Sequence, residues 1–389
     1  MEVGPVAIWA GLAAVMAGLL VFLRPICRRL QLVDHPDERK QHGESVPLAG
    51  GIAMALVVLP TMLGAAALQS VSLDPKWWVV LVTAIALLCV GSIDDRSPLN
   101  AGARMLAQIA AALALVYAGG FRVESMGALG ELGTFSVPFT VLVIVSFLNA
   151  CNMVDGADGL LGSVLLPPLV AIALIAGAPL SWGAGMLAAV VFGFLLFNWP
   201  AKSAARSRLR VFMGNGGVLF IALFTAAILI DASGRDGPLL PGAIALLTLI
   251  PLMDLATTCM RRIVHRVSPL SADRGHIHHR LLLGGLSPTQ VALTYLGVTT
   301  AATLAAVLLP RLGADDFWLW TIAAAVLTSA TLLELWRSTR ARTRARAQVH
   351  AHLPEPCAPD LARPHPTVAR THPHHPLPDK LLKRTGTGG

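Results

Sequence analysis

Charge is scarce in this sequence. Of 389 residues only 13% are Asp, Glu, Lys or Arg, while 55% are hydrophobic. A composition so far from that of a soluble domain excludes an ordinary globular enzyme. Cysteine is scarce as well. Cys27, Cys89, Cys151, Cys259 and Cys357 are scattered with no CxxC pair, so neither a disulfide framework nor a zinc site is indicated. No positive segment precedes the first apolar run and no small-residue cleavage signature follows it, so that run is expected to be a retained span and not a signal peptide. Charge is rarest of all at mid-depth of the apolar runs, and no internal repeat is visible. A secondary transporter or lipid carrier would place ionisable residues there, at its substrate site.

What the sequence has is long apolar runs. They fall at about 3–23, 47–68, 76–93, 103–120, 135–153, 159–177, 182–199, 214–231, 238–257, 290–309 and 314–335. Each is near the ~20 residues a membrane helix needs. The expected fold is all-α: a polytopic membrane protein of about eleven transmembrane helices. The net charge of +8 falls between the spans, so membrane topology explains it before nucleic acid does. One set of loops carries Arg24, Arg28, Arg29, Arg39 and Lys40, then Arg96 and Arg104, then Lys202, Arg206, Arg208 and Arg210, then Arg261, Arg262, Arg266, Arg274 and Arg280. The opposite loops hold only Lys76, Arg122, Arg235 and Arg311. The positive-inside bias puts the N-terminus outside and the basic loops in the cytoplasm. Residues 337–389 are rich in Arg, Pro and His without apolar periodicity, and read as a disordered cytoplasmic tail. Its histidines could bind metal, but a solvated tail is the simpler reading.

Five polar motifs all fall on the basic side. The chain is organised around the central one, Asn149, Asn152, Asp155 and Asp158, spaced by three between two apolar runs. Residues three apart are neighbours on a helix, yet an unbroken helix would wind this row around its axis. Gly156 and Gly159 suggest that the helix ends here, letting the polar groups converge on a ligand. Upstream, Arg39, Lys40 and His42 precede the pair Gly50-Gly51, either as a phosphate-facing group or as a plain basic loop. Asp94 and Asp95 end the third run, and adjacent like charges near hydrocarbon are relieved by a divalent cation or a shared proton. A Gly-rich turn, Phe212-Met-Gly-Asn215-Gly-Gly217, opens the eighth run and could cradle phosphate. Last come His276, His278 and His279, whose surrounding cations and lack of cysteine favour an anionic phosphate over zinc. Acid pairs, glycine turns and Arg/His clusters on one face suit metal-assisted phosphoryl transfer at a membrane surface.

Over about residues 5–335 the chain resembles the polyprenyl-phosphate N-acetylhexosamine-1-phosphate transferases, which include the phospho-MurNAc-pentapeptide translocases and the WecA-type initiators of O-antigen, common-antigen and teichoic-acid synthesis. The resemblance rests on four stretches in the family's order: Asp34 to Gly51, Asp94-Asp95, Asn149 to Leu160, and His276 to His279. The His-Ile-His-His form, with Asp273-Arg274 before it, is similar to the WecA-type branch. The resemblance implies transfer of N-acetylhexosamine 1-phosphate, most simply GlcNAc 1-phosphate, from a UDP-sugar to undecaprenyl phosphate with release of UMP. It implies residues 1–336 as the transferase domain, Mg2+ as cofactor with Mn2+ as the alternative, and no nucleic acid. The oligomeric state is left open, a homodimer included. Asp94 and Asp95 would supply the base that deprotonates the lipid phosphate and would hold that phosphate near the metal, with Asp155 and Asp158 at the metal shell or the uridine end. Asn152 and Asn215 would turn amide oxygens to the metal. Arg39, Lys40, His42 and Asn149 would contact substrate, and His276, His278 and His279 the pyrophosphate. One departure stands out: the family usually has Asp, a principal Mg2+ ligand, where this chain has Asn215. A catalytically impaired paralogue that binds the sugar nucleotide is therefore the alternative.

Overall fold

A computed structural model describes residues 4–34, 45–68, 71, 73–200, 209–235, 237–268 and 275–351, the last stretch from 341 as backbone alone. The regular structure of the described residues is helical apart from one two-residue ladder and one isolated bridge, and every apolar run of the sequence falls on a helix or a bent helix pair. They are α1 (Pro5–Arg29), α2 (Gly50–Ala67), α3 (Lys76–Arg96), α4 (Ala101–Tyr117), α5 (Ser136–Val154), α6 (Leu160–Ile175), α7 (Leu180–Asn198), α8 (Gly214–Ala232), α9 (Pro241–Leu247), α10 (Leu249–Val264), α11 (Ile277–Leu283), α12 (Pro288–Arg311) and α13 (Asp316–Ala351). The protein is a multi-pass membrane protein. Eight helical segments are long and apolar enough to cross a bilayer. The pair α9 and α10, bent by 71°, makes a ninth, and α4 and α6 are shorter apolar helices. These account for all eleven expected runs, with fewer clear spans than runs.

α13 continues past the end of its apolar run to Ala351. The stretch after Trp336 is an Arg- and Ala-rich sequence of good helix formers, so helical backbone extends into the expected disordered tail. Met1–Thr339 forms one compact unit. Of the second, Arg340–Gly389, only this helical backbone is described.

α8 lies at the centre. Sixteen of its nineteen residues are buried, which is what a helix hydrophobic all round requires. Against lipid, apolar burial gives helices little reason to associate, so close backbone packing over small residues must do it. Glycines supply that packing. A Cβ on Gly91 of α3 would come within 2.3 Å of the Gly216 backbone, and one on Gly51 of α2 within 2.3 Å of Gly217. α3 and α8 run antiparallel, pinned at one end by the Lys76–Asp231 ion pair and at the other by Asp94 and Asp95 with Asn215. The peripheral helices α1 and α13 leave large apolar side chains such as Phe22, Phe317 and Trp318 exposed for lipid.

The strands β1 (Val33–Asp34) and β2 (Val46–Pro47) pair antiparallel and close the base of a loop. Arg39, Lys40 and His42 lie on that loop, outside the described residues. Its base is nonetheless tied to the Gly-rich turn. Phe212 donates its N–H to the Pro47 carbonyl, and the Gly50 and Gly51 N–H groups donate to the Phe212 and Met213 carbonyls.

Candidate active site

The Asn/Asp ladder does end its helix. α5 stops at Val154, Asp155 caps it, and α6 starts at Leu160. Gly159 enters α6 with φ 75°, a left-handed conformation that strains any other residue type. Its N–H donates to Asn198 Oδ1 at 2.8 Å, while Asn198 Nδ2 donates to the Val211 carbonyl at 3.0 Å. One buried amide at the end of α7 thus fastens the aspartate loop to the segment leading into α8. Asn198 carries no periodic signal in the sequence, and nothing there marks it.

The ladder divides by role. Asn149 Nδ2 donates to Gln108 Oε1 at 2.5 Å, so this side chain joins α5 to α4 and is not brought to the other site groups. Asn152, in the last turn of α5, is exposed. Asp155 is half-buried, and its carboxyl is pushed well above the usual range, first by burial and then by the charges of Asp158 and Asp95. Asp158 pairs with Arg210, whose guanidinium also lies 5.0 Å from the Phe212 ring centre.

The two acids of α3 also differ. Asp94 is buried and fully engaged: Oδ1 accepts from the Leu99 N–H at 2.8 Å, and Oδ2 accepts from Arg104 at 3.2 Å and from Asn215 Nδ2 at 3.0 Å. Asp95 is half-buried and accepts the Asn215 N–H at 3.0 Å, a place where the helix dipole of α8 favours a negative charge. Gly214 bends the chain here with φ 75°, and a Cβ on it would stand 2.7 Å from Asp95 Oδ2. Asp95, at the head of α8, is near enough for its charge to act on Asp155, while Asp94 holds the scaffold.

The histidines form one cluster. Ring centres lie 5.8 Å apart for His276 and His278, 4.2 Å for His278 and His279, and 6.3 Å for His276 and His279. His278 is fully buried, with neither ring nitrogen hydrogen-bonded. It packs on the aspartate loop so closely that a Cβ on Gly156 would come within 2.7 Å of His278 Nε2. Burial, then the His279 charge, lowers its pKa to about 4. The ring is neutral near pH 7 and offers hydrogen bonds, not charge. Cationic charge near the cluster comes from Arg261 and Arg280, both paired with the buried Glu334 of α13. Asp273 and Arg274 lie outside the described residues.

Among the described residues no three His, Cys, Asp or Glu side chains form a ready-made metal cage. Mg2+ seldom needs one, since it keeps waters and takes substrate phosphate oxygens. The residues present fit such an ion. Asp95 and Asp155 are close enough to repel, and a cation between them relieves this. The Asn215 amide gives its N–H to Asp94 and retains an oxygen as a neutral donor.

Glycosyl transferase family 4 matches residues 77–233 of the chain. The undecaprenyl-phosphate alpha-N-acetylglucosaminyl 1-phosphate transferase of Escherichia coli strain K12 is 30% identical over 298 residues, covering 74% of this chain and 78% of that protein. The protein of the same name from Yersinia pestis is 32% identical over 304 residues, 75% of this chain and 80% of its own. A probable undecaprenyl-phosphate N-acetylglucosaminyl 1-phosphate transferase of Bacillus subtilis is 31% identical over 283 residues, 69% and 75% of the two chains.

Proposed function

The chain belongs to glycosyl transferase family 4, and on that premise we propose that it transfers N-acetylhexosamine 1-phosphate from a UDP-sugar to undecaprenyl phosphate in the bacterial cytoplasmic membrane. In the net reaction an oxygen of the lipid phosphate bonds to the β-phosphorus of the donor. The bond from that phosphorus to the bridging oxygen breaks, and UMP leaves with the electron pair. GlcNAc is the expected sugar, as the names of the relatives suggest. The reaction begins a lipid-linked cell-surface glycan, and its site faces the cytoplasm because the basic loops gather there.

The observation that supports this reading is the charge coupling of Asp155 to Asp95, which accepts the Asn215 N–H at the head of α8, with the His278 ring packed on Gly156 next to Asp155. Mg2+, or Mn2+ in its place, would be held by Asp95 and Asp155 with the Asn215 amide oxygen, and would supply charge neutralisation on the transferring phosphoryl group. Asp95 is the group that orients and deprotonates the lipid phosphate, while Asp94 keeps it in place through Asn215. The Arg210–Asp158 pair orients the donor.

The test is UMP release by purified protein given undecaprenyl phosphate, a panel of UDP-sugars and Mg2+. Release that requires all three supports the reading. Tight UDP-sugar binding with no release would instead identify the impaired paralogue.

A further inference from the structure

Asp254 is a carboxylate with no exposed surface, set inside α10 just after the 71° bend. Burying a charge there costs several kcal/mol unless its oxygens are well satisfied. Both are spent on one short segment. Oδ1 accepts the Ile277 N–H at 2.8 Å, and Oδ2 lies 3.1 Å from His276 Nδ1. α11 has no side-chain cap of its own, so Asp254 supplies the cap from 23 residues away. Among the described residues, Thr258 of α10, whose Oγ1 is 3.5 Å from Nδ1, and the neighbouring His278 and His279 also lie near the His276 ring.

We propose that Asp254 is a positioning residue that fixes His276 as the Nδ1–H tautomer and so aims its Nε2 at the donor's pyrophosphate. This rests on the transferase reading for its substrate, but not for its geometry. A carboxylate that accepts no proton of its own can take only the Nδ1–H of the ring. Nε2 is then the nitrogen that gains the second proton. Asp254 balances the resulting imidazolium while Nε2–H donates to a phosphate oxygen. A carboxylate behind an imidazole acts in this way in many active sites, by setting both tautomer and orientation. His276 has a buried carboxylate at hydrogen-bond distance, whereas neither ring nitrogen of His278 is hydrogen-bonded.

The decisive experiment reads the tautomer and the kinetics separately, in full-length protein. Nitrogen NMR of 15N-histidine-labelled protein in bilayers, with the His276 signal assigned by its loss in His276→Gln, should show a protonated Nδ1 in the unaltered chain. Asp254→Asn should move the proton to Nε2, because the Asn amide N–H donates to Nδ1. In the UMP-release assay Asp254→Asn should lower kcat/KM about tenfold to a hundredfold, as loss of an orienting partner does. Added to His276→Gln it should cost nothing further, since both changes remove one interaction. An Nε2–H tautomer in the unaltered protein would overturn the proposal even if Asp254→Asn fails to fold. Losses that multiply in the double variant would overturn it too. A chain that folds but releases no UMP would refute the transferase reading, and the tautomer would still decide this one.

Discussion

Replacing Asn215 with Asp tests the electrostatics of the site in one atom's change. Asn215 Nδ2 donates to Asp94 Oδ2 at 3.0 Å, so Asn215→Asp exchanges a hydrogen bond for two carboxylates in contact. At that separation and an effective dielectric of about 20, the repulsion is about 5 kcal/mol. Arg104, at 3.2 Å from the same Oδ2, offsets part of it, leaving about 3 kcal/mol. For a chain of this size each kcal/mol moves the melting temperature by at most about 2 °C. Without metal, Asn215→Asp should therefore melt about 5 °C below the unaltered protein in detergent. With millimolar Mg2+ the added carboxylate becomes a ligand, so the variant should regain that loss and show the steeper dependence on Mg2+. Asn215→Ala should lose stability by a smaller amount that Mg2+ does not restore. The assay is thermal unfolding in EDTA and across a Mg2+ series at one scan rate. Equal melting of Asn215→Asp and the unaltered chain in EDTA would refute the Asn215–Asp94 contact. Equal gains with Mg2+ in all three would remove the metal from this pair.

Other outcomes follow from the same geometry. Gly91→Ala puts a methyl 2.3 Å from the Gly216 backbone, and should cost about 1–3 kcal/mol as overpacking and depress UMP release, whereas Gly18→Ala, in open space, should do neither. Arg210→Ala and Asp158→Asn should each slow turnover about tenfold or more and, combined, do no worse than one alone. His278, with its pKa lowered to about 4 by burial, binds fewer protons folded than unfolded. Its contribution is whole above about pH 6.5 and is lost as pH falls towards 4. His278→Gln should therefore flatten the decline in melting temperature over that window, and an unchanged slope would place the ring in water.

The apolar runs were legible because a bilayer demands about 20 apolar residues, and eight of the eleven met that demand as single helices. The break at Gly156 and Gly159 was legible for a local reason, the left-handed turn that opens α6. Partners distant in sequence were not legible. Nothing in the pair Asp94-Asp95 says that Arg104 and Asn215 occupy the first acid and leave the second near enough for its charge to act on Asp155. Period three implied that all four groups converge on one ligand, whereas Asn149 serves the α4–α5 contact through Gln108. Three histidines within four residues were expected at phosphate, yet nothing local in the sequence says that His278 is the one buried, with its pKa lowered to about 4. The close crossings at Gly51 and Gly91 depend on which helices meet, which single-helix periodicity does not reveal.

The central claim is that these groups form one phosphoryl-transfer site. Mass spectrometry of the lipid after incubation with undecaprenyl phosphate, a UDP-N-acetylhexosamine and Mg2+ tests it most directly. The account predicts lipid that has gained one N-acetylhexosamine 1-phosphate for each UMP released, with the product lost in Asp95→Asn. Lipid of unchanged mass, or product formed at the normal rate by Asp95→Asn, would contradict it.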